Sequence, residues 1–332
     1  MTNYAGLYKI KYNLWYTVYK VKNDVFHLQV CTCGTNIAGV WIGRVGMDNI
    51  TKKAYAKINL GLDVLKRRPD GYHEVKMVMQ TVDIYDTLTF NVSAQPGIVL
   101  NTDNNELPTG NDNLICKAAG KLLEESGIKQ GVEIFLEKKI PVAAGMAGGS
   151  ADAAATLLGL NELFELGYSL EELQKIGVKL GADIPYCLMG GTSLSEGIGE
   201  ILTKLPTPPQ CTLLIAKPDI NVSTKFVYEN LHADSLTYHP DIDGMIAAIK
   251  EGSLSGITGR LGNVLETVTV REYPVINEIK TLMKDEGAEG ALMSGSGPTV
   301  FGIFTDAKAA KNAAKEIAIE ELAKQVFVTG FI

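Results

Sequence analysis

The chain has 332 residues, of which 46% are hydrophobic and 21% are charged, so it is long enough to form two domains of typical size. Its formal net charge of −7 argues against a broad basic surface for nucleic acid or an anionic membrane, and no apolar run reaches the roughly 18 residues of a membrane span. The five cysteines are an odd number without the paired spacing of a zinc site, so we expect a cytoplasmic protein with a small-molecule partner; the oligomeric state stays open.

Residues 1–46 differ in composition from the rest of the chain. They contain both tryptophans, five of the thirteen tyrosines, and five Lys or Arg residues against a single Asp. The stretch MDNITKKAYAKINLGL, which begins at Met47, is typical of a protein start that leads directly into a strand. We therefore expect Met47 to be the natural initiator and residues 1–46 to be an extension outside the native fold. The alternative is an additional small β-rich arm.

The part of the chain that follows predicts several strands and a helix. Apolar residues alternate in part over 53–66, the charged turn RRPDGYH comes next, and separate strands are predicted at 74–83 and 86–92. A helix is predicted from Asn113, which can cap it, to Gly127, which can end it. The segment VEIFLEKKI alternates cleanly and predicts a further strand.

Two more helices are predicted after this strand. The glycine-bearing stretch PVAAGMAGGS leads into the alanine-rich helical segment ADAAATLLGLNELF. Ser169 and Glu172 then form a capping box for a helix with apolar residues on about one face, and Gly181 is its stop signal.

A linker candidate, PTPPQ at 206–210, follows a predicted hairpin made of GTSLSEG and GEILTKL. We place a domain boundary there, with an N-terminal domain over 47–205 and a C-terminal domain over 206–332. The second domain predicts a strand (CTLLIAKP), helices from Thr224 onward, a strand pair around MSGSGP, a helix and a last strand. Helices and antiparallel strands in two layers make this an α+β protein.

The glycine-bearing stretch has the properties of an anion site. A helix N-terminus exposes unpaired N–H groups, and glycines allow a ligand to approach the backbone closely. The alternative is a flexible entrance to a helix, because the lysine of the Walker loop and a true G-x-G-x-x-G are both missing. Asp152 lies in the first helical turn, where its charge opposes a phosphate, so it turns aside or helps to hold a metal ion.

Three other segments contain polar residues with a possible function. Lys57 and Asn59 share one face of a strand, where an inward lysine would need a carboxylate; the alternative is a surface lysine. Asp183 precedes the pair Ile184–Pro185, which is biased away from helix, and the alternative to a functional role is a turn or cap aspartate. The segment MSGSGPTVF joins two strands, and its alternative is a simple hairpin turn.

Taken in order, the segments AKINLGL, PDGYHEV, PVAAGMAGGSADAAA, GADIPYCL and MSGSGPTVF resemble the GHMP kinase superfamily of small-molecule kinases. The resemblance runs from about residue 50 to the C-terminus and is greatest to the branch whose acceptor is a cytidine diphosphate-linked methylerythritol. It implies a two-domain fold, with a ribosomal S5 domain 2-like N-terminal domain and a ferredoxin-like C-terminal domain. It also implies phosphorylation of the acceptor 2-hydroxyl by ATP, with Mg²⁺, in non-mevalonate isoprenoid precursor synthesis.

The resemblance gives each matching residue an expected role. Asp183 would receive the hydroxyl proton, and Lys57 would orient Asp183 and stabilise charge near the transferred group. ATP would be bound by the glycine loop, with Ser150 near the metal ion: Pro141, Val142, Ala143, Ala144, Gly145, Met146, Ala147, Gly148, Gly149, Ser150 and Ala151, with Asn113 and Lys117 nearby. The acceptor would be bound by Asn59, Tyr72, His73, Thr224, Tyr228, Gly295, Ser296 and Gly297.

Two other functions stay open at this stage. One is a different GHMP kinase that phosphorylates homoserine or mevalonate, and the other is a non-catalytic binding protein with the same fold. The Tyr72–His73 pair favours a nucleobase in the acceptor, because stacking and edge contacts recognise a base. The presence of Lys57, Asp183 and the whole glycine loop favours catalysis over binding alone.

Overall fold

The computed structural model describes residues 49–332 throughout and, before them, the backbone of five strands between residues 5 and 41. The chain divides into two compact units, residues 1–48 and 49–332. The strands of the first unit are β1 (Ala5–Ile10), β2 (Leu14–Val21), β3 (Val25–Thr32), β4 (Thr35–Asn36) and β5 (Val40–Trp41). They pair antiparallel in the order β1-β2-β3-β4, and β5 also pairs with β3. The expected initiator Met47 lies outside the described residues, and the extension over 1–46 stays a prediction.

The second unit contains eleven strands and ten α-helices. In chain order its elements are β6 (Asn49–Arg67), β7 (His73–Ser93), β8 (Ile98–Thr102), α1 (Leu114–Ser126), β9 (Gly131–Glu137), α2 (Gly148–Leu163), α3 (Leu170–Gly177), α4 (Ile184–Met189), β10 (Thr192–Gly197), β11 (Ile201–Leu205), β12 (Thr212–Lys217), α5 (Thr224–Asn230), a 3₁₀ helix (Ala233–Ser235), α6 (Ile242–Lys250), α7 (Leu254–Thr258), β13 (Gly262–Asn263), α8 (Glu266–Glu272), α9 (Val275–Asp285), β14 (Gly290–Met293), β15 (Val300–Phe304), α10 (Ala307–Ile319) and β16 (Gln325–Thr329).

A seven-stranded mixed sheet is built on the long antiparallel pair of β6 and β7. Its strand order is β11-β10-β7-β6-β13, and β9 pairs with the far end of β7 and, in parallel, with β8. The hairpin of β10 and β11 is confirmed. Helix α2 covers this sheet, and its side chains are buried on almost every side because α1, α3 and α4 also surround it. The first turn of α2 is therefore held firmly in place.

The C-terminal part of the second unit contains a four-stranded antiparallel sheet in the order β14-β15-β12-β16. Numbered within this sheet alone, the strands run second, third, first, fourth. That order, with helices after the first and third strands, is the β-α-β-β-α-β pattern of the ferredoxin-like fold. The implied ferredoxin-like domain is therefore confirmed, and α9 and α10 pack against the sheet.

Local signals in the sequence place several helix ends correctly. Asn113 caps α1 through a hydrogen bond from the amide of Ile115, and Gly127 ends it in the left-handed conformation. Ser169 and Glu172 form the full capping box of α3. Helix α3 ends at Gly177, one turn before the expected stop at Gly181.

Two sequence predictions are wrong. Strands were expected separately at 74–83 and 86–92, but β7 runs through both because β6 supplies it with hydrogen-bond partners along nearly all its length. The bias of Ile184–Pro185 against helix is also overcome, since α4 begins at Ile184 with Asp183 as its N-cap residue. Proline is tolerated there because the first turn of a helix has no internal use for its amide.

The expected linker at 206–210 has no regular structure and connects β11 to β12. After it, β13 returns to the large sheet and pairs in parallel with β6. The domain boundary at 206 stays a prediction. Among the residues that the structure describes, no helix is long and apolar enough to cross a membrane.

Candidate functional site

A cavity of about 950 Å³ lies between the two predicted domains of the second unit. The glycine loop 141–150 forms one wall, and the connection between β6 and β7 forms another. Asp183, the helix α5 and the turn between β14 and β15 complete it. The five segments that resemble a known family therefore meet around one space, although they are far apart in the sequence.

Lys57 and Asp183 form an ion pair on the wall of this cavity. The side chain of Lys57 is 6% exposed, whereas that of Asp183 is 35% exposed. The Lys57 Nζ lies 3.9 Å from the Asp183 Oδ2 and donates a hydrogen bond of 2.7 Å to the Asn59 Oδ1. Lys57 is therefore an inward lysine, and the surface alternative is excluded.

The glycine loop is fastened to the strand that carries Lys57. The amide of Lys57 donates a hydrogen bond of 3.1 Å to the carbonyl of Met146. After the loop, α2 begins without a side-chain cap, and its N-cap residue Ala147 has a φ of 56°. The first amides of α2 belong to residues on the cavity wall, so a helix N-terminus with its partial positive charge faces the cavity.

The structure shows why residue 145 must be a glycine, which the sequence alone does not explain. Its φ is 70°, and a Cβ there would collide with the carbonyl oxygen of Ser294. Ser294 Oγ also donates a hydrogen bond of 3.0 Å to the Gly145 carbonyl. The glycine loop and the turn 294–298 are therefore in backbone contact. At Gly149, by contrast, a Cβ would approach only Leu114, at 3.6 Å, and the loop leaves space there.

A second lysine, Lys138, lies beneath the first turn of α2. Its ammonium contacts the carboxylates of Asp86 and Asp152, the latter at 2.7 Å. Asp86 also accepts hydrogen bonds from the amides of Lys139 and Ile140. Asp152 is 3% exposed, and its Oδ1 is buried without a hydrogen-bond partner. Burial raises the pKa of Asp152 to about 8, against the opposing effect of Lys138.

The other end of the cavity is aromatic. The rings of His73 and Tyr228 have centroids 5.1 Å apart, and Tyr72 is 58% exposed beside them. Burial and the nearby charge of Arg67 lower the pKa of His73, so its imidazole is neutral at pH 7. Burial raises the pKa of Tyr228, which keeps its hydroxyl protonated. The Thr224 and Ser296 hydroxyls are hydrogen-bonded at 2.9 Å.

The structure brings most of the expected site residues to the cavity wall, but not all. Asn59 is fully buried behind Lys57, Lys117 points outward from α1, and Met146 and Ala151 are buried under the loop. A Cβ on Gly297 would collide with the sulfur of Met293, and Gly297 is not part of the wall. These five residues are close to the site without forming its surface. The wall contains the expected residues Lys57, Tyr72, His73, Asn113, Pro141, Val142, Ala143, Ala144, Gly145, Ala147, Gly148, Gly149, Ser150, Asp183, Thr224, Tyr228, Gly295 and Ser296.

Some wall residues were not expected from the sequence. Lys138 and Arg67 bring positive charge, and Leu107 and Pro108 bring apolar surface near Asn113. The sequence contains a weak signal for Lys138. This lysine lies between a cleanly alternating strand and the apolar residues Ile140 and Pro141, a position where a lysine is not expected to be buried. No comparable signal marks the other three.

Within residues 49–332, no cluster of three or more histidine, cysteine or carboxylate residues could hold a metal ion by itself. The wall does offer hard oxygen atoms beside the loop. These are the hydroxyl of Ser150 and the unpartnered Oδ1 of Asp152. This donor set suits a cation that takes most of its ligands from phosphate oxygens and water.

Comparison with protein families agrees with this arrangement. Residues 113–191 match the family model "GHMP kinases N terminal domain", and residues 237–323 match "GHMP kinases C terminal". A 4-diphosphocytidyl-2-C-methyl-D-erythritol kinase of Lachnoclostridium phytofermentans is 54% identical over 285 residues, which are 86% of this chain and 98% of the relative. The enzyme with that name from Caldicellulosiruptor bescii is 50% identical, over 83% of this chain and 96% of its own.

Solved structures extend the likeness to three dimensions. A crystal structure of 4-(cytidine 5'-diphospho)-2C-methyl-D-erythritol kinase has a TM-score of 0.73 and 32% identity, and the match covers 85% of this chain and 99% of that one. A homoserine kinase from Cytophaga hutchinsonii has a TM-score of 0.70 at 23% identity, with 87% and 96% of the chains covered. The second likeness shows the shared fold alone.

Proposed function

We propose that this chain, which belongs to the GHMP kinase family, transfers the γ-phosphoryl group of ATP to the 2-hydroxyl of 4-diphosphocytidyl-2-C-methyl-D-erythritol. The observation that carries the proposal is the shared cavity: the pair Lys57–Asp183 lies between an uncapped helix N-terminus on one side and the aromatic pair His73–Tyr228 on the other. Curated relatives of about half identity carry the same activity in their names.

Asp183 is the group proposed to receive the proton of the acceptor hydroxyl. A carboxylate is too weak a base for a free alcohol, but in a loose transition state the proton becomes acidic only as the new O–P bond forms. The 3.9 Å separation leaves the Asp183 carboxylate oxygens available to the hydroxyl. Lys57 is held by Asn59 at a fixed position, from which its charge orients Asp183 and stabilises the negative charge of the transferred group.

The phosphates of ATP are proposed to bind at the start of α2. The amides of Gly148, Gly149 and Ser150 point there without a side-chain cap, and the helix dipole favours an anion. The open space at Gly149 supports a close approach of the phosphates to the backbone. The apolar wall of Leu107, Pro108, Leu114 and Val142 suits the adenine ring, with Asn113 at its edge. Lys117 is exposed on α1 outside this wall and is proposed only to support ATP binding from nearby.

Mg²⁺ fits the donor atoms beside this loop. Ser150 and Asp152 are the residues that would hold it, because each brings a hard oxygen atom and no positive charge. The ion would neutralise the phosphate charges. The Oδ2 of Asp152 accepts a hydrogen bond from Lys138, and its buried Oδ1 has no hydrogen-bond partner among the described residues. Because burial raises the pKa of Asp152 to about 8, this carboxyl would have to lose its proton to bind the ion.

The acceptor is proposed to bind at the aromatic end. Tyr72, His73 and Tyr228 offer ring faces and a neutral imidazole edge, which together can stack on a cytosine and bond its polar edge. Thr224 and Ser296 reach the sugar and diphosphate end from the C-terminal half, with Gly295 beside them. Gly297 and Asn59 support these contacts from behind the wall.

The same proposal assigns catalysis and ATP binding to residues 47–205, which also contribute Tyr72 and His73 to the acceptor site. Residues 206–332 contribute the remaining acceptor contacts and close the site. The proposal includes a cytoplasmic location, for which the odd number of scattered cysteines is the support.

The test is an ATP-consumption assay with three acceptors side by side: 4-diphosphocytidyl-2-C-methyl-D-erythritol, homoserine and mevalonate. We expect turnover with the cytidyl compound alone. Turnover with only homoserine or mevalonate would assign the chain to another GHMP kinase. ATP binding without turnover of any of the three would point to a non-catalytic binding protein.

A further inference from the structure

The two-residue strand β13 is one of the points where the C-terminal half joins the large sheet. Gly262 and Asn263 pair in parallel with Gly61 and Leu62 of β6, and the amide of Val264 donates a further hydrogen bond of 3.1 Å to the Leu62 carbonyl. β6 is the strand that carries Lys57. The backbone of Asn263 is therefore fixed to the same strand as the proposed catalytic lysine.

The side chain of Asn263 reaches from this strand to the turn between β14 and β15. Its Nδ2 donates hydrogen bonds to the carbonyls of Met293, at 2.9 Å, and of Gly295, at 2.8 Å. Its Oδ1 accepts a hydrogen bond of 3.0 Å from the amide of Leu265. Asn263 is only 4% exposed, so both amide hydrogens and the carbonyl oxygen are used inside the protein.

The turn that Asn263 holds touches both substrate regions of the cavity. At one end, Ser294 donates a hydrogen bond to the Gly145 carbonyl in such close contact that a Cβ on Gly145 has no space. At the other end, the Ser296 hydroxyl is hydrogen-bonded to Thr224 of α5. A shift of the turn must therefore move the glycine loop or break its contact with it.

We propose that Asn263 is a positioning residue for phosphoryl transfer, which fixes the turn 294–298 to β6 and so holds the Gly145 side of the glycine loop in place. The side chain is not on the cavity wall and acts through the two carbonyls and the Leu265 amide that it binds. An ionised carboxylate at this position would place an oxygen against those carbonyls and remove both donors, and a protonated one would keep a single donor. This inference rests on the proposed role of the cavity as the kinase site.

The deciding variant is Asn263→Asp, with Asn161→Asp as its matched control. Asn161 lies at the far end of α2 and also forms two hydrogen bonds with one partner. Its Nδ2 donates to the Tyr168 carbonyl, and its Oδ1 accepts from the Tyr168 amide. Both variants should lose thermal stability. Asn263→Asp should in addition weaken ATP binding, measured by calorimetry, and lower kcat/KM by about 10- to 100-fold, because misplacement of reacting groups by about 1 Å has effects of that size. Asn161→Asp should leave both parameters unchanged.

The readout of ATP affinity separates this inference from the proposed function. If the wild type binds ATP but does not turn over the cytidyl acceptor, the proposed acceptor is wrong and the affinity comparison still tests Asn263. Equal ATP affinity in Asn263→Asp and wild type, or an equal loss in Asn161→Asp, would overturn the role of Asn263.

A second variant covers the case in which Asn263→Asp does not fold. Ser294→Ala removes only the hydroxyl that contacts the glycine loop, and we expect it to lower ATP affinity by about two- to fivefold, the usual effect of one hydrogen bond. Wild-type ATP affinity in Ser294→Ala would show that the turn does not position the loop, and the inference would fail.

Discussion

Lys57 and Lys138 both line the cavity, and their side chains are 6% and 4% exposed, but their aspartate partners differ. The Lys57 ammonium is 3.9 Å from Asp183, whose side chain is one-third exposed to the cavity. The Lys138 ammonium is in direct contact with Asp86 and Asp152, both of which are almost fully buried. The same residue types thus form one open pair and one closed cluster within a single site.

This difference indicates that the open pair takes part in the reaction and that the closed cluster supports the structure. A carboxylate that is partly exposed and loosely paired can accept a proton from a substrate and give it up again. A lysine held between two buried carboxylates cannot change partners without leaving a buried charge uncompensated, which is costly. The open pair is therefore the catalytic candidate, while the closed cluster joins β7, the residue after β9 and helix α2 under the phosphate loop. Asp152 lies beyond the first turn of α2, in which the sequence predicted it, because the helix begins at Gly148.

The largest expected effect is on the open pair. Asp183→Asn should lower kcat by about 10²- to 10⁴-fold, the usual contribution of a general base, because the amide cannot receive the hydroxyl proton. ATP affinity and the melting temperature should stay close to wild type, since the side chain is one-third exposed. Steady-state kinetics, calorimetry and thermal unfolding measure the three quantities.

Glu229→Gln is the control for Asp183→Asn. Glu229 is another carboxylate on the cavity wall, paired with the exposed Lys225 at 3.8 Å, and its loss should change kcat little. An Asp183→Asn enzyme that keeps most of its rate would remove Asp183 from the role of base.

Removing the lysine of the closed cluster should lower the stability of the protein. Lys138→Met leaves Asp86 and Asp152 facing each other without a cation, and we expect a loss of about 3–5 kcal/mol in the free energy of unfolding. Lys52→Met is the matched control, because Lys52 forms an exposed pair with Glu162 that should be worth at most about 1 kcal/mol. Urea unfolding of both variants tests this. Similar losses in the two would mean that burial does not distinguish the clusters.

Features that depend on residues close together in the chain could be predicted from the sequence. The ends of α1 and α3 were predictable because Asn113, Gly127 and the pair Ser169–Glu172 act on amides within a few residues. The glycine loop and the order of the main motifs were also predictable, since their residues are contiguous.

Other parts depend on residues that only the fold brings together. The cluster of Asp86, Lys138 and Asp152 spans three elements, and no spacing in the sequence links its members. β7 continues through its polar centre because β6 pairs with it. Asp86 can be buried there because Lys138 and the amides of Lys139 and Ile140 meet its carboxylate. Asn263 lies in a strand of two residues, which is too short to show any periodicity.

Replacing each aspartate of the closed cluster by asparagine should change the free energy of unfolding by different amounts, and this difference should be smaller than the effect of Lys138→Met. Asp86 accepts two backbone amides as well as Lys138, so an amide group in Asp86→Asn must face at least one donor, at a cost of about 1.5–3 kcal/mol. Asp152→Asn can keep its oxygen toward Lys138 and place its NH₂ at the unpartnered position, so its stability should change by less than about 1 kcal/mol. Urea unfolding that ranks the two the other way would contradict this account of the cluster.

The smallest expected effect concerns Arg67, an exposed cation on the cavity wall whose charge acts on a histidine. Arg67 and His73 are partners across β6 and β7, and after burial the Arg67 charge is the second cause that lowers the pKa of His73. Removing this charge in Arg67→Gln should move the pKa of His73 back toward 6.5. As the pH falls, the imidazole should therefore become protonated sooner, at a higher pH, than in the wild type.

Histidine NMR titration, with His73→Asn to assign the resonance, measures the shift directly, and the acid limb of the acceptor kcat/KM profile should move in the same direction. Lys66→Gln is the control, because Lys66 precedes Arg67 on β6 and points to the opposite face of the strand. The position of the acid limb separates this effect from a simple loss of contact with the acceptor, which would lower kcat/KM equally at every pH. An unmoved titration in Arg67→Gln would mean that burial alone keeps His73 neutral, so that an exposed cation, unlike the buried Lys57 and Lys138, has no measurable influence on the site.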